Sequence, residues 1–210
     1  MGEYEDRKDY TSGSLKGSDE TMRQRLTAWL DEARESDPQD YNAMTLSTVD
    51  SEGRPDARIV LLRDLDQEGR GFIFYTNYRS AKGRQLSTCP AAALTFFWPG
   101  LERQLRVRGH VKPLSADASD RYFQSRPRPS RIGAWASEQS EIIADRSALE
   151  EARAAAEDRF PGEVPRPPHW GGYRLEADAV EFWQGRPGRL HDRIRYLHQD
   201  GAWNQDRLQP

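Results

Sequence analysis

Between Asn42 and Val111 the chain alternates apolar and polar residues with a period of two, in short runs cut by turn-forming residues. This constrains the fold more than any other feature. Asn42–Val49 reads as a strand, Asp50–Gly53 as a turn, Ala57–Arg63 as a second strand and Phe72–Asn77 as a third. Ala91–Trp98 and Leu101–Val111 form another pair around Pro99 and Gly100. In the last of these, Leu105, Val107 and Val111 face one way, and Gln104, Arg106 and Arg108 the other. Consecutive antiparallel strands at such short spacing predict a small closed or partly closed barrel.

Helical patterns flank the strands, so the predicted class is α+β. Ser18 is placed to cap a helix running to about Ala33, with Met22, Leu26, Trp29, Leu30 and Ala33 on one stripe, before Asp37 and Pro38 break the pattern. Ser80–Thr88, Ser115–Gln124 and Ser147–Phe160 read as further helices. Ser125–Ser140 is too rich in Pro, Ser and Arg for a core element and reads as a loop, and Pro161–Pro168 as a connector. Three final strands, Tyr173–Leu175, Val180–Gln184 and Arg189–His198, complete the sheet, with Asp200 and Gly201 turning toward Trp203. Residues 1–17 are polar and rich in Gly and Ser, which predicts a mobile segment ahead of a single domain over residues 18–210.

Composition excludes several function classes. The formal charge of −3 gives no reason to expect nucleic acid. Lysine occurs only at 8, 16, 82 and 112, so nearly all of the 31 basic residues are Arg, which favours bidentate anion contacts or ion-pair networks. The single Cys89 rules out an internal disulfide framework and a Cys-rich metal site. No metal cluster is expected. No apolar run approaches membrane-spanning length and the N-terminus lacks a signal-peptide core, which reads as a cytoplasmic protein. Neither a dinucleotide-binding glycine motif nor a Walker loop is present.

The stretch Glu181–Arg193 carries the chemistry. Gly185, Pro187 and Gly188 mark a turn; if Arg189–Arg193 is extended, alternation places Arg189, His191 and Arg193 on one face. Two guanidiniums flanking an imidazole suit an anionic, proton-exchanging ligand. The same pattern suits the solvated face of an edge strand equally well.

Together with that stretch, Arg58–Arg63, Phe74–Asn77, Leu101–Gln104, Ser125–Arg128, Ile132–Trp135, Glu138–Ser140 and Trp170–Gly172 resemble the pyridoxamine 5′-phosphate oxidase family, over a span from about Arg7 to Pro210. The resemblance implies an antiparallel FMN-binding split β-barrel with flanking helices. It also implies a homodimer with FMN at the interface, and oxidation of pyridoxine or pyridoxamine 5′-phosphate to pyridoxal 5′-phosphate, with dioxygen as acceptor and release of hydrogen peroxide. It implies that FMN lies along Arg58, Ile59, Val60, Leu61, Leu62 and Arg63 and meets Tyr75, Thr76, Lys82, Gln104, Gln139, Ser140, Trp183 and Arg193. Arg63, Tyr122, Arg126 and Ser130 become the substrate-phosphate cradle, with Arg189 and His191 over the pyridine ring. His191, Arg193 and Arg189 become the catalytic group. Arg7 and Tyr10 match a lid over bound substrate.

Each residue also has a plainer reading. Trp183 and Tyr75 suit a core, Gln104 a solvated strand position, and Arg128 a loop charge. The chain departs from the family in having Arg63 where Lys is usual, and Ala81 where an Arg usually precedes the helix lysine; Arg79 is the candidate to compensate. Three rivals stand beside the vitamin B6 reading: a phenazine-type flavin oxidase on the same fold, a non-catalytic flavin or pyridoxal-phosphate binder, and an Arg-rich nucleic-acid module.

Overall fold

The computed structural model describes residues 9–11, 13–15 and 20–210. Helix α1 (Met22–Ser36) leads into β1 (Ala43–Val49), β2 (Pro55–Leu61), the short β3 (Asp64–Leu65) and β4 (Gly71–Asn77). Helix α2 (Ala81–Thr88) and strands β5 (Ala91–Trp98) and β6 (Arg103–Pro113) follow. Three helices come next: α3 (Ala116–Ser125), α4 (Arg128–Ala136) and α5 (Arg146–Arg159). The chain ends with β7 (Trp170–Gln184), a one-turn 3-10 helix at Pro187–Arg189, β8 (Asp192–Gln199) and β9 (Ala202–Leu208). Every strand pairing is antiparallel, and the sheet runs β2-β1-β5-β6-β7-β4-β3, with β8 and β9 continuing from β7.

The expected alternation sets the core. Met44, Leu46, Phe72, Phe74, Leu94, Phe96, Leu105 and Val107 point inward, and the stripe of α1 from Met22 to Ala33 packs among them. Trp29 meets Phe182 edge to face at 5.0 Å. The helix begins later than expected. Thr21 caps it, accepting from Gln24 N while the Gln24 side chain accepts from Thr21 N; Ser18 lies outside the described residues.

Three further expectations are corrected. The two strands expected between Tyr173 and Gln184 are one strand, β7, with a bulge at Asp178 opposite the Arg108–Gly109 step. The extra residue switches the buried parity from Tyr173, Leu175 and Ala177 to Val180 and Phe182, so a continuous strand looks like two. The loop expected at Ser125–Ser140 contains α4, whose Ile132 is fully buried. Its prolines sit in the first turn, where no N–H donor is missed. Arg128 is no free loop charge, because it donates to the carbonyls of Phe160 and Gly162 beyond the end of α5.

Beside the barrel, α3, α4 and α5 bring Phe123, Ile132 and Ala156 together with Val164 of the following connector and Trp170 of β7 in a second apolar cluster, with Tyr75, Tyr122 and Trp135 packed against it. No helix among the described residues is long and apolar enough to cross a membrane.

Candidate active site

A cavity of about 490 Å³ opens where β2, β4, α3 and α4 meet. Ile59, Val60 and Leu61 supply an apolar wall, and Tyr75, Tyr122 and Trp170 an aromatic one. The Tyr75 and Tyr122 rings stack at 3.7 Å with 11° between planes, and Trp170 continues the stack 5.6 Å from Tyr75. Gly172 permits this, since a Cβ there would lie 2.7 Å from the Tyr75 ring.

The same lining holds Arg63, Lys82 and Arg126 and no carboxylate. Arg126 lies over Trp170, and its Nη1 is buried without a hydrogen-bond partner. Burial lowers its pKa, and nearby Arg63 adds to that. Lys82 is buried and donates to neutral oxygens, Ser80 Oγ at 3.2 Å and Gln139 Oε1 at 3.0 Å. Its pKa is also lowered by burial, with a smaller contribution from Arg58. Thr76 Oγ1 donates to the same Gln139 oxygen at 3.4 Å. Buried Lys82 and partly buried Arg126, with exposed Arg63 beside them and no carboxylate in the lining, fit one or more phosphate groups, and the stacked wall fits a planar ring.

The expected neighbours divide. Ser130 and Gln139 line the cavity with the residues above. Leu62 turns into the barrel core instead. Arg58 pairs with Asp56 at 2.5 Å and donates to Thr48 Oγ1 and Gln85 Oε1. Ser140 is exposed at φ 76° outside the lining. Arg58 and Arg63 take different surfaces because β2 ends at Leu61: Leu62 N still bonds Asn42 O, but Arg63 N crosses to Ile73 O on β4. Arg79, the candidate to compensate for Ala81, is not in this lining. It lines an adjoining cavity with Arg84, Trp135 and His169.

The remaining expected residues gather elsewhere. Gln104, Trp183 and Arg193 form one row across β6, β7 and β8. Roughly 40 Å of strand separates Trp170 from Trp183 at about 3.3 Å per residue. Arg193 is paired with Glu181 at 2.9 Å. His191 lies 4.6 Å from Trp183 by ring centroids, and Tyr10 meets both rings edge-on. The Arg186 backbone N–H donates to His191 Nδ1 at 3.2 Å, so the neutral ring carries its proton on Nε2. Arg189 is not extended with His191 and Arg193. It closes the 3-10 turn at φ 61° and is exposed. Arg7 lies outside the described residues. Trp170, Asp192, Glu181 and Arg186 were given no role from sequence; only Trp170 had a signal, its place beside two glycines.

The expected site residues therefore fall into two groups in separate parts of the chain. Residues 30–158 match the family model described as "Pyridoxamine 5'-phosphate oxidase", and residues 170–210 match a "Pyridoxine 5'-phosphate oxidase C-terminal dimerisation region". The chain belongs to the pyridoxamine 5′-phosphate oxidase family. Enzymes of this family are FMN-dependent oxidoreductases, and FMN is the cofactor. A relative from Pseudomonas paraeruginosa, named pyridoxine/pyridoxamine 5′-phosphate oxidase, is 56% identical over 87% of this chain and 85% of its own length. One of the same name from Ralstonia pickettii is 53% identical over 97% of both chains. The solved structure of PhzG from Burkholderia lata, in complex with tetrahydrophenazine-1-carboxylic acid, superposes with a TM-score of 0.83 at 33% identity, covering 89% of this chain and 91% of that one. A pyridoxamine 5′-phosphate oxidase-related, FMN-binding protein from Nostoc punctiforme shares the fold with a TM-score of 0.73 at 21% identity, over 94% of this chain and all of that one.

Proposed function

We propose that the protein oxidises pyridoxine 5′-phosphate and pyridoxamine 5′-phosphate to pyridoxal 5′-phosphate, as a homodimer in which each site joins the cavity of one copy to the His191 turn of the other. The observation that carries this is the cavity's combination of three cations, no carboxylate and a stacked aromatic wall. Bound FMN would accept a hydride from the C4′ carbon of the substrate and pass the electrons to dioxygen, giving hydrogen peroxide.

The chain's own residues bind and orient. Lys82, Thr76 and Gln139 hold the cofactor phosphate, with Ile59, Val60 and Leu61 along its length. Arg58 joins them by exchanging Asp56 for phosphate. Arg126, Arg63, Tyr122 and Ser130 hold the substrate phosphate. Gln104, Trp183 and Arg193 meet the cofactor from the second copy. There, His191 presents Nε2–H to the 4′ oxygen or nitrogen, and the proton lost from that group passes to solvent; with the amine, the imine so formed takes up water and releases ammonia to give the aldehyde. Arg189 and Tyr10 close over the pyridine ring. Orientation of this kind is a principal protein contribution when a cofactor supplies the redox chemistry.

Identity of 50–56% to relatives named for the vitamin B6 reaction, against 33% to PhzG, favours this substrate over a phenazine precursor. Peroxide release from pyridoxine 5′-phosphate, compared with unphosphorylated pyridoxine, tests it. A strong preference for the phosphate ester is expected; equal rates would remove the role given to Arg126.

A further inference from the structure

The backbone of the described N-terminal segment is held at the His191 end of the sheet by four charged side chains. Glu102 Oε2 accepts from Thr11 N at 3.0 Å, and Asp192 Oδ2 from Leu15 N at 3.0 Å. Arg186 Nη1 donates to Gly13 O, and Arg207 Nη2 to Leu15 O at 2.7 Å. Arg207 Nη1 also donates to Asp192 Oδ1 at 2.7 Å, so Asp192 and Arg207 grip the amide and carbonyl of one residue while gripping each other. Charge-assisted bonds of this type are roughly twice as strong as neutral ones. Leu15 itself is buried in the barrel core.

The clamp has a direct geometric consequence for the site. Asp192 follows His191 in the chain and opens β8. Tyr10 sits on Gly185, where a Cβ would come within 2.6 Å of its ring, and from there meets Trp183 and His191 edge-on, each at 5.5 Å. The clamp holds the segment five residues after Tyr10, beyond the Glu102–Thr11 and Arg186–Gly13 bonds and outside the cavity of Arg126 and Lys82, so its loss loosens the anchored end of the segment and leaves that cavity intact.

We propose that Asp192, assisted by Arg207, is a positioning residue that fixes the segment carrying Tyr10 over Trp183 and His191. The inference rests on the oxidase reading above and adds to it how the segment is registered. The test is a double-mutant cycle on the FMN-loaded enzyme with pyridoxine 5′-phosphate, with amide hydrogen exchange at Leu15 as a second readout.

Asp192→Ala is expected to raise KM about 5–10-fold with kcat changed less than about twofold, and Tyr10→Ala to do the same. Combined, they are expected to match Tyr10→Ala alone, because one acts through the other. Leu15 amide protection is expected to fall in Asp192→Ala and largely return in Asp192→Asn, which keeps an acceptor oxygen. Arg207→Gln, which spares the Asp192–Leu15 bond, covers the case in which Asp192→Ala folds poorly; it is expected to give a smaller rise in KM. Additive effects in the cycle, or an unchanged KM in Asp192→Ala, would overturn the proposal. A parent enzyme that ignores pyridoxine 5′-phosphate would strike the oxidase reading instead. Leu15 exchange would still decide the clamp, and unchanged protection in Asp192→Ala would refute it.

Discussion

The Arg126 guanidinium lies 4.5 Å from the centroid of the Trp170 ring, and its Nη1 is enclosed with no hydrogen-bond partner. A buried donor left unmade costs about 1–3 kcal/mol, more when charged, so the arrangement favours binding of an anion. Arg126→Ala is expected to raise KM for pyridoxine 5′-phosphate by about 30-fold or more with a small change in kcat. Arg126→Lys, which keeps the charge and loses the fork, should fall between. Steady-state kinetics decides it, and an unchanged KM would remove Arg126 from the phosphate cradle.

Lys82 gives a pH signature. Burial, then Arg58, lowers its pKa from the usual 10.5. Between the lowered folded value and the unfolded value, the unfolded chain binds more protons, so raising the pH through that window stabilises the fold. Below the window the folded chain carries the full cost of a buried ammonium. Removing the charge in Lys82→Met is therefore expected to raise the melting temperature of the cofactor-free protein at neutral pH, by about 2–4 °C for about 1 kcal/mol, with the gain shrinking toward pH 10. FMN affinity should fall about tenfold or more. Thermal melts at two pH values and an FMN fluorescence titration measure both. A fall in melting temperature together with unchanged FMN affinity would mean that Lys82 is only structural.

Arg126 lines the cavity and His191 sits with Trp183 at the far end of β7, so each active site is proposed to draw on two copies of the chain. Assayed with substrate near the parental KM, Arg126→Ala and His191→Ala homodimers should each turn over poorly, Arg126→Ala through KM and His191→Ala through kcat. Mixing and refolding them together should restore about a quarter of parental activity, since half the dimers are mixed and each holds one intact site. No recovery from verified mixed dimers would place both residues in one chain's site. A raised KM with unchanged kcat in His191→Ala would leave the imidazole only a binding role.

Most of the barrel was legible in the sequence because its strands expose one face and bury the other. Met44 and Leu46 on β1, or Leu105 and Val107 on β6, announce both strand and core. Legibility failed where one residue changes the count. The extra residue at Asp178 reverses the parity of β7. The positive φ of Arg189 removes it from the extended face that alternation assigns. Prolines that usually break helices instead begin α4. For the site, the family resemblance rather than residue type named the phosphate and ring contacts, and the cavity brings Arg63, Tyr75, Lys82, Tyr122, Arg126 and Ser130 together. Pairing states were not legible, because they depend on tertiary neighbours. Arg58 against Asp56, Arg193 against Glu181 and His191 against Arg186 N all join residues whose geometry the fold sets.

The measurement that bears most directly on the central claim is the visible spectrum of the FMN-loaded protein during anaerobic addition of pyridoxine 5′-phosphate. Bleaching of the flavin band is expected, with recovery and peroxide on admitting air. A flavin band that stays oxidised with both pyridoxine 5′-phosphate and pyridoxamine 5′-phosphate would contradict the proposed reaction.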